Sequence, residues 1–410
     1  MFDVNKIKEG FPIFENYRKE AGGELVFLDS AASSQTPKQV VEAMDDYYFK
    51  YRSNIHRGGY KIGEQATNSY EEAREVVAKF INAETNEVIF TGGATASSNM
   101  LCYALEENIK WQAGDEVVTT IFEHHSNLLP LQEMAKRKGL KLRHFEMTPD
   151  FNIDYGNIDA LINEHTKIVS VTLASNVTGA ITDVKKITEE AHKYGAIVIV
   201  DATTAMGHMP IDVKDLGCDF LFFSGHKMCG PTGIGVLYGR KEVLVSMPPS
   251  FFGGGMVDDV GMEKSTYSSA PFRFEAGTPN IAGVIGLSEA VKYLESIGAE
   301  NIKKHTEKLT EYAIKKLSAI GGVKLICEKD ASKNIGIVSF TVEGIHPHDV
   351  GEILNRNHVA IRGGHHCAQP LMKALGIGAV SRASFYIYNT ESDIDKLAEG
   401  IEKAKQAFSL

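Results

Sequence analysis

Two short apolar runs that end in polar and charged residues constrain the fold of this chain more than any other feature. The first run, Val198–Val200, ends at Asp201, and the second, Phe220–Phe223, ends at Ser224-Gly225-His226-Lys227. Short runs without polar residues are typical of strands in a parallel sheet whose two faces are both buried. Ligands of such sheets bind at the carboxyl ends of the strands. We therefore expect Asp201 and Lys227, which are 26 positions apart, to reach one site.

An aspartate and a lysine at the same site suggest a specific chemistry. A lysine amine forms a Schiff base with an aldehyde cofactor, and an aspartate keeps a pyridinium nitrogen protonated. Pyridoxal 5'-phosphate requires both groups. The two residues alone fit a buried ion pair or a solvated loop lysine equally well, because structural ion pairs also occupy such positions.

Small and polar residues follow the other predicted strands as well. The segment Thr91–Asn99 joins a strand to a helix, and its free N–H groups and hydroxyls favour a phosphate, although packing alone also selects small residues there. His124 and His125 follow another strand. Adjacent side chains diverge and no third ligand has a useful spacing, so we expect an imidazole stacked on a cofactor ring rather than a metal site. Ser175–Gly179 follows a further strand.

The order of the predicted elements indicates an α/β fold with two parts. Strands and helices alternate through most of the chain, and a smaller α+β unit follows a long helix that begins near residue 282. We predict a large domain over residues 23–290, with a mostly parallel seven-stranded sheet between helices. Residues 1–22 and 291–410 are predicted to form the small domain.

Cys367 lies in the small domain, in a glycine-rich segment with His365 and His366 beside it. This setting favours an accessible thiol that can be activated. The alternative is a buried structural cysteine, the usual state of free cysteines. The flanking residues make burial less expected for Cys367 than for Cys102 or Cys327.

Composition excludes several classes of partner and location. A net charge of −10 argues against nucleic acid or an anionic membrane as the main partner. No apolar run approaches the ~18 residues of a membrane span, and the first ten residues lack the apolar core of a secretory signal. The five cysteines are scattered without a Cys-x-x-Cys pair, which predicts free thiols in a reducing cytoplasm.

Taken together, these motifs resemble those of the SufS-type cysteine desulfurases of the class V aminotransferase family, which have the pyridoxal phosphate fold type I. The resemblance extends over almost the whole chain in the family's order. The matching segments are LDSAASSQTP from Leu28, HRGGY from His56, EHHSN from Glu123, SNVTG from Ser175, SGHKMCGPTGIGVLYG from Ser224, RFEAGTPNIAG from Arg273, RGGHHCAQPLM from Arg362 and SRASFYIYN from Ser381.

The resemblance implies that L-cysteine becomes L-alanine while its sulfur forms a persulfide on Cys367, for iron–sulfur cluster assembly. It also implies a sulfur-acceptor protein and a homodimer. The implied catalytic residues are Lys227, which binds the cofactor and moves the substrate proton, Cys367 and His124, which stacks on the ring. The other implied cofactor contacts are Asp201, Asn176, Thr95, Ser224, His226 and, from a second subunit, Thr278. Arg382 is implied to bind the substrate carboxylate, with Arg362, His56 and Asn176 nearby.

Three positions depart from the family pattern. Thr204 stands where the family has a glutamine that reaches the cofactor ring, and Ala94 and Ala96 replace a threonine and a glutamate of the phosphate segment. These changes leave two alternatives open. One is a selenocysteine lyase or another class V enzyme, and the other is a weakly catalytic protein that acts as a sulfur-transfer partner.

Overall fold

The computed structural model describes residues 2–409, and helices and strands alternate through most of this range. The strands are β1 (Val26–Phe27), β2 (Val88–Thr91), β3 (Glu116–Thr120), β4 (Lys141–Phe145), β5 (Thr166–Thr172), β6 (Ile197–Asp201), β7 (Phe220–Ser224), β8 (Gly235–Gly239), β9 (Val257–Val260), β10 (Ser265–Tyr267), β11 (Val323–Leu325), β12 (Ile337–Val342), β13 (Val359–Ala360), β14 (Arg362–Gly364) and β15 (Val380–Ser384). The α-helices are α1 (Val4–Glu9), α2 (Pro12–Ala21), α3 (Lys38–Lys50), α4 (Lys61–Phe80), α5 (Ala94–Asn108), α6 (His125–Lys138), α7 (Ile158–Leu161), α8 (Val184–Lys193), α9 (Val213–Leu216), α10 (Lys241–Ser246), α11 (Ile281–Ile297), α12 (Ala299–Ser318), α13 (Pro347–Asn355), α14 (Gln369–Ala374) and α15 (Glu391–Ala407).

The central sheet has seven strands in the order β2-β8-β7-β6-β5-β3-β4. Only β8 runs against the others, since it pairs antiparallel with both β7 and β2. The predicted α/β class with a mostly parallel seven-stranded sheet is therefore confirmed. Because the other six strands share one direction, their carboxyl ends lie at one edge.

The two apolar runs are buried from both sides. Val198, Val200 and Phe223 belong to one hydrophobic cluster, whereas Ile199 and Phe222 belong to another. This alternation follows from strand geometry, since successive side chains point to opposite faces. Helices cover both faces, so a fully apolar run is the stable solution at the centre of the sheet.

A second sheet of four strands, in the order β11-β12-β15-β14, is antiparallel throughout. Strand β1 comes from the start of the chain but pairs with β13, next to this second sheet. The predicted domain boundary at residue 290 falls inside α11, and the division into 23–290 against 1–22 and 291–410 stays a prediction.

Strands β9 and β10 form an antiparallel hairpin. Two strands, β4 and β15, were not predicted from the sequence. β4 is an edge strand with mostly polar, partly exposed residues. β15 is fully buried despite its polar sequence, Val-Ser-Arg-Ala-Ser. Neither strand has the apolar pattern on which such a prediction depends.

Backbone hydrogen bonds join the loop after β5 to the second part of the chain. The N–H of Ile335 donates to the carbonyl of Gly179 at 2.9 Å, and the N–H of Glu328 donates to that of Thr178 at 2.9 Å. The hydroxyl of Ser339 donates to the carbonyl of Val177 at 2.6 Å. The loop that carries Asn176 is thus fixed to both sheets.

No helix within residues 2–409 combines the length and the apolar composition that crossing a bilayer requires.

A buried ion pair anchors α4 to the central sheet. Arg74 is only 1% exposed, and its guanidinium donates to both oxygens of Glu275, at 2.7 and 2.9 Å, and to the carbonyl of Val88 at 2.8 Å. Glu275 also accepts from the N–H of Phe90 at 2.7 Å. The pair therefore ties together α4, β2 and the segment that leads to Thr278.

We expect Arg74→Leu to lower the free energy of unfolding by about 3–5 kcal/mol, because Glu275 would remain buried without its cation. Urea-induced unfolding measures this loss. Arg356→Leu is the matched control: Arg356 forms an ion pair with Glu352 at 2.6 Å, but their side chains are 71% and 64% exposed. The control should lose no more than about 1 kcal/mol, and equal losses in both variants would contradict the assignment.

We expect Gly179→Ala to destabilise the protein by about 2–4 kcal/mol. Gly179 has φ +75°, and a Cβ there would overlap the side-chain amide of Asn334. That amide donates to the carbonyls of Glu328 and Ile337, at 2.8 and 2.9 Å, and would lose these bonds. Gly195→Ala is the control, with φ +71° but nothing within 4 Å of the added Cβ, and should cost only about 1–2 kcal/mol. Similar losses in thermal or urea unfolding would refute the role of Asn334.

Candidate active site

Asp201 and Lys227 lie at the carboxyl edge of the central sheet, as the apolar runs predict. Asp201 ends β6 and is buried, and its Oδ1 accepts from the N–H of Thr203 at 2.9 Å. Lys227 follows β7 at the end of a short 3₁₀ turn, Gly225–Lys227.

Burial controls the protonation of both groups. Burial raises the pKa of the Asp201 carboxyl, while the hydrogen bond from the N–H of Thr203 and the charge of the Lys227 ammonium act in the opposite direction. Burial, reinforced by the charge of Arg382, lowers the pKa of Lys227 to about 8, although Asp201 and Cys367 oppose this. The neutral, nucleophilic form of the amine is therefore far more abundant near neutral pH than in an ordinary lysine.

The start of α5 provides donors for an anion. Gly93 caps this helix without a side-chain bond, the N–H groups of Thr95 and Ala96 have no partner among the described residues, and the helix dipole is positive here. The N–H of Ala94 donates to Ser224 Oγ at 2.8 Å, and Thr95 Oγ1 lies 2.7 Å from Ser126 Oγ. A Cβ at Gly93, where φ is +131°, would come within 3.3 Å of Ser224 Oγ, so a side chain there would crowd the donors at the start of α5.

His124 is the N-cap residue of α6 and ends the segment that joins β3 to this helix. Its Nδ1 accepts from the N–H of Ser126 at 3.1 Å, so its neutral imidazole carries the proton on Nε2. Burial, with the positive charge of Lys227, lowers the pKa of His124 to about 4. The ring is therefore neutral at physiological pH.

The segment around Cys367 is held mainly through its backbone. The side-chain amide of Asn176 donates to the carbonyl of His366 at 2.7 Å, and the N–H of His125 donates to that of Cys367 at 2.9 Å. His366 and Cys367 both have left-handed backbone conformations, with φ of 52° and 55°. The Cys367 side chain is exposed in a cavity of about 1070 Å³ that His125, Arg362 and His365 also line. Cys102 and Cys327 are buried, so the predicted difference in exposure is confirmed.

Arg382 lies almost fully buried on β15 and makes two side-chain contacts. Its guanidinium donates to the carbonyl of Asn176 at 2.9 Å and to Asp29 Oδ1 at 3.1 Å. The other oxygen of Asp29, Oδ2, accepts from Arg362 Nε at 3.0 Å. Sequence reasoning missed Asp29, because its loop of small residues resembled an ordinary turn. Two arginines in the predicted site without an acidic partner were the signal that could have identified it.

The buried polar atoms without a hydrogen-bond partner among the described residues include Asn176 Oδ1, Thr203 Oγ1, His366 Nδ1, Ser381 Oγ and Arg382 Nε. Buried polar groups are rarely unpaired in native proteins. Asn176 and Thr203 follow the neighbouring strands β5 and β6, so their unpaired atoms, together with the donors at the start of α5, suit a ligand with several polar groups.

The remaining predicted site residues have different surroundings. Thr204 is buried beside Thr203, and the carbonyl of half-buried His226 accepts from the N–H of Ser34 at 2.9 Å. His56 and Thr278 line a separate cavity of about 250 Å³, whose lining does not include Lys227 or Cys367. His56 Nε2 also lies 2.8 Å from Glu71 Oε1. Within one chain, His56 and Thr278 therefore lie apart from Lys227 and Cys367.

Comparison with known proteins identifies the relatives of this chain. The family model described as Aminotransferase class-V matches residues 26–397. A protein of Halalkalibacterium halodurans named "Probable cysteine desulfurase" is 48% identical over 407 residues, which is 99% of each chain. The apo structure of a cysteine desulfurase from Thermococcus onnurineus has a TM-score of 0.93 and 40% identity, covering 98% of both chains. The cysteine desulfurase CsdA of Escherichia coli has a TM-score of 0.91 and 36% identity, covering 99% of both.

Proposed function

The chain belongs to the class-V aminotransferase family, and on this premise we propose that it is a pyridoxal phosphate-dependent cysteine desulfurase. The reaction converts L-cysteine to L-alanine and leaves the sulfur as a persulfide on Cys367. The observation that carries the proposal is the exposed thiol of Cys367 in a fixed loop. Asn176 holds this loop through the carbonyl of His366, and its own carbonyl accepts from the buried Arg382. Cys367 is also near enough to Lys227 to affect the pKa of its amine.

The residues at the strand ends fit the proposed cofactor. The free N–H groups of α5, with Thr95 and Ser224, suit its phosphate, and half-buried His226 lies next to Lys227. Asp201 suits the pyridine nitrogen, and Lys227 suits the aldehyde. His124 is available to stack on the ring. The unpaired Asn176 Oδ1 and Thr203 Oγ1 offer further polar contacts to the cofactor. Thr203 directly precedes Thr204, the residue that stands where the family has a glutamine. When bound, the cofactor supplies an electron sink for the carbanion at the substrate Cα.

The chain's own residues account for the remaining requirements. Arg382 binds the substrate carboxylate through donors left free by Asn176 and Asp29. The Lys227 amine, whose pKa is lowered to about 8, accepts and returns the Cα proton at Nζ. The Cys367 thiolate attacks the substrate Sγ: an S–S bond forms, the Cβ–Sγ bond breaks, and its electron pair remains on carbon, which takes up a proton. The products are alanine and the enzyme persulfide, so no external oxidant or reductant is needed.

The wider roles belong to the same proposal. Exposure of Cys367 supports transfer of the persulfide sulfur to an acceptor protein, and through it to iron–sulfur cluster assembly in the cytoplasm. The exposed Thr278, in a cavity apart from Lys227, supports a homodimer in which it completes the partner's site.

We expect the native protein to form alanine from L-cysteine, and Cys367→Ala to reduce this rate at least about 100-fold while retaining the cofactor's absorbance band. Alanine is quantified by chromatography, and the persulfide on Cys367 by mass spectrometry. Cys218→Ala, which removes a buried thiol, is the control and should keep its activity.

The same assay separates the alternatives. Activity on L-selenocysteine that survives Cys367→Ala would favour a selenocysteine lyase. A bound cofactor without alanine from either substrate would contradict the enzyme proposal and favour the weakly catalytic sulfur-transfer partner.

We expect covalent cofactor attachment to the cofactor-free protein to accelerate as the pH rises, with a midpoint near 8. The neutral amine is the reactive form, and it predominates above the lowered pKa of Lys227. Stopped-flow absorbance measures the rate. Lys227→Arg should abolish attachment, whereas Lys185→Arg, at an exposed lysine, should not. A midpoint close to the ordinary lysine value of 10.5 would show that Lys227 is not perturbed.

A further inference from the structure

Glu123 is a buried carboxylate that the proposed reaction does not use. It is 1% exposed and directly precedes His124 in the segment between β3 and α6. Its Oε1 accepts from the hydroxyl of Thr120 at 2.7 Å and from the N–H of Thr172 at 2.8 Å, and its Oε2 accepts from the side-chain amide of Asn127 at 2.7 Å. One carboxylate thus binds the end of β3, the end of β5 and the first turn of α6.

The bond from Thr172 takes the place of a hydrogen bond between strands. The pairing of β3 with β5 ends at Val118 and Val169, although β5 continues to Thr172. A buried backbone N–H needs a partner, and that of Thr172 donates to Glu123 instead of a carbonyl of β3. The carboxylate therefore fills the gap where the two strands separate.

The same carboxylate fixes the chain on both sides of His124. The side-chain amide of Asn127 donates to Glu123, while its N–H donates to the carbonyl of His124 at 2.9 Å. Before His124, the hydroxyl of Thr120 accepts from the N–H of Phe122 at 3.0 Å and donates to Glu123. His124 therefore lies in a short segment whose two ends meet at one side chain.

The other residues proposed to contact the cofactor ring have their own supports. The loop that carries Asn176 is fixed by backbone bonds at Thr178 and Gly179, and Asp201 Oδ1 accepts from the N–H of Thr203 at 2.9 Å. None of these bonds involves Glu123. Loss of the Glu123 carboxylate would therefore displace His124 and leave Asn176 and Asp201 in place.

The charge of Glu123 does not explain its presence. Burial raises its pKa to about 8, and the charge of Asp201 acts in the same direction, although the three accepted hydrogen bonds oppose the shift. Because this value lies above the ordinary 4.5, ionisation of Glu123 favours the unfolded chain at neutral pH. The contribution of the side chain lies in the bonds that its oxygens accept, and an amide can reproduce most of them.

We propose that Glu123 is a positioning residue for His124: by accepting bonds from β3, β5 and α6, it holds the imidazole at the strand ends, where the ring stacks on the cofactor. The inference rests on the proposed function, since stacking of His124 is part of that proposal.

The test is a double-mutant cycle on the dissociation constant of pyridoxal phosphate, measured by equilibrium dialysis. We expect His124→Ala to weaken binding about tenfold and Glu123→Leu to weaken it at least about fivefold. The double variant should bind no more than about twofold more weakly than His124→Ala, because the ring that Glu123 positions is already absent. Effects that multiply, or unchanged binding in Glu123→Leu, would overturn the proposal.

Two variants separate positioning from charge and from general destabilisation. In Glu123→Gln, the amide oxygen can accept from Thr120 and Thr172, and its NH₂ can donate to Asn127 once that side-chain amide rotates, so binding should stay within about twofold of native. Glu116→Leu removes another buried carboxylate at the opposite end of β3, where it pairs with Arg143 at 3.0 Å, and should also stay within about twofold. A loss in either variant equal to that in Glu123→Leu would refute the positioning role.

A second measurement does not require the cofactor. In the cofactor-free protein, we expect the pKa of His124, followed by NMR of ¹³C-labelled histidine, to rise from about 4 by at least about one unit towards 6.5 in Glu123→Leu, because the displaced ring gains contact with water. Glu123→Gln should keep the native value. An unchanged pKa in Glu123→Leu would overturn the proposal even if the protein binds no pyridoxal phosphate.

If Glu123→Leu does not fold, Asn127→Ala takes its place in both measurements. This variant removes one of the three donors to Glu123, so it should weaken cofactor binding at least about threefold without adding to the effect of His124→Ala. Unchanged or additive binding would again refute the role of Glu123. Neither measurement depends on alanine formation, so a failed desulfurase assay with the predicted affinities would refute only the proposed activity.

Discussion

The site depends on charges that are kept out of water at one edge of the central sheet. Asp201 and Arg382 are both buried. Burial raises the pKa of Asp201 and lowers the pKa of Arg382 and of Lys227, and each shift favours the neutral form of the group. Each charged group offsets part of this cost through its partners, such as Thr203 for Asp201 and Asn176 for Arg382. The surrounding fold must supply the remaining stability, because groups with such pKa shifts destabilise the native state on their own.

Two loops supply much of that support by crossing between the sheets. The loop after β5 is fixed by backbone bonds to the second part of the chain, as the bond from Ile335 to Gly179 illustrates. The loop after β1 makes a similar bridge on the other side. Ser34 Oγ accepts from the N–H of Cys229 at 2.7 Å, next to the Lys227 turn, and the N–H of Ala31 donates to Ser384 Oγ on β15 at 2.9 Å. The Lys227 turn and the Arg382 strand are thus held through a shared loop.

The sequence predicts the centre of this architecture better than its periphery. The runs before Asp201 and Lys227 predict their strands because a parallel sheet buried on both faces demands uninterrupted apolar residues. β15 could not be predicted in this way, since Arg382 and Ser384 bind distant partners that no local pattern reveals. The same reason explains Asp29, whose two arginines follow it by more than 300 positions. Exposure of Cys367 was predictable because glycines and polar residues flank it.

Fixation of the Cys367 loop through main-chain carbonyls has an evolutionary consequence. Asn176 and His125 bind the carbonyls of His366 and Cys367, which every amino acid possesses. A single codon change at position 367 would therefore delete the proposed nucleophile while the carbonyl bonds that hold the loop remained. On the proposed function, the scaffold would gain or lose its sulfur chemistry in one mutational step, and the rest of the pocket would stay available for selection on another reaction.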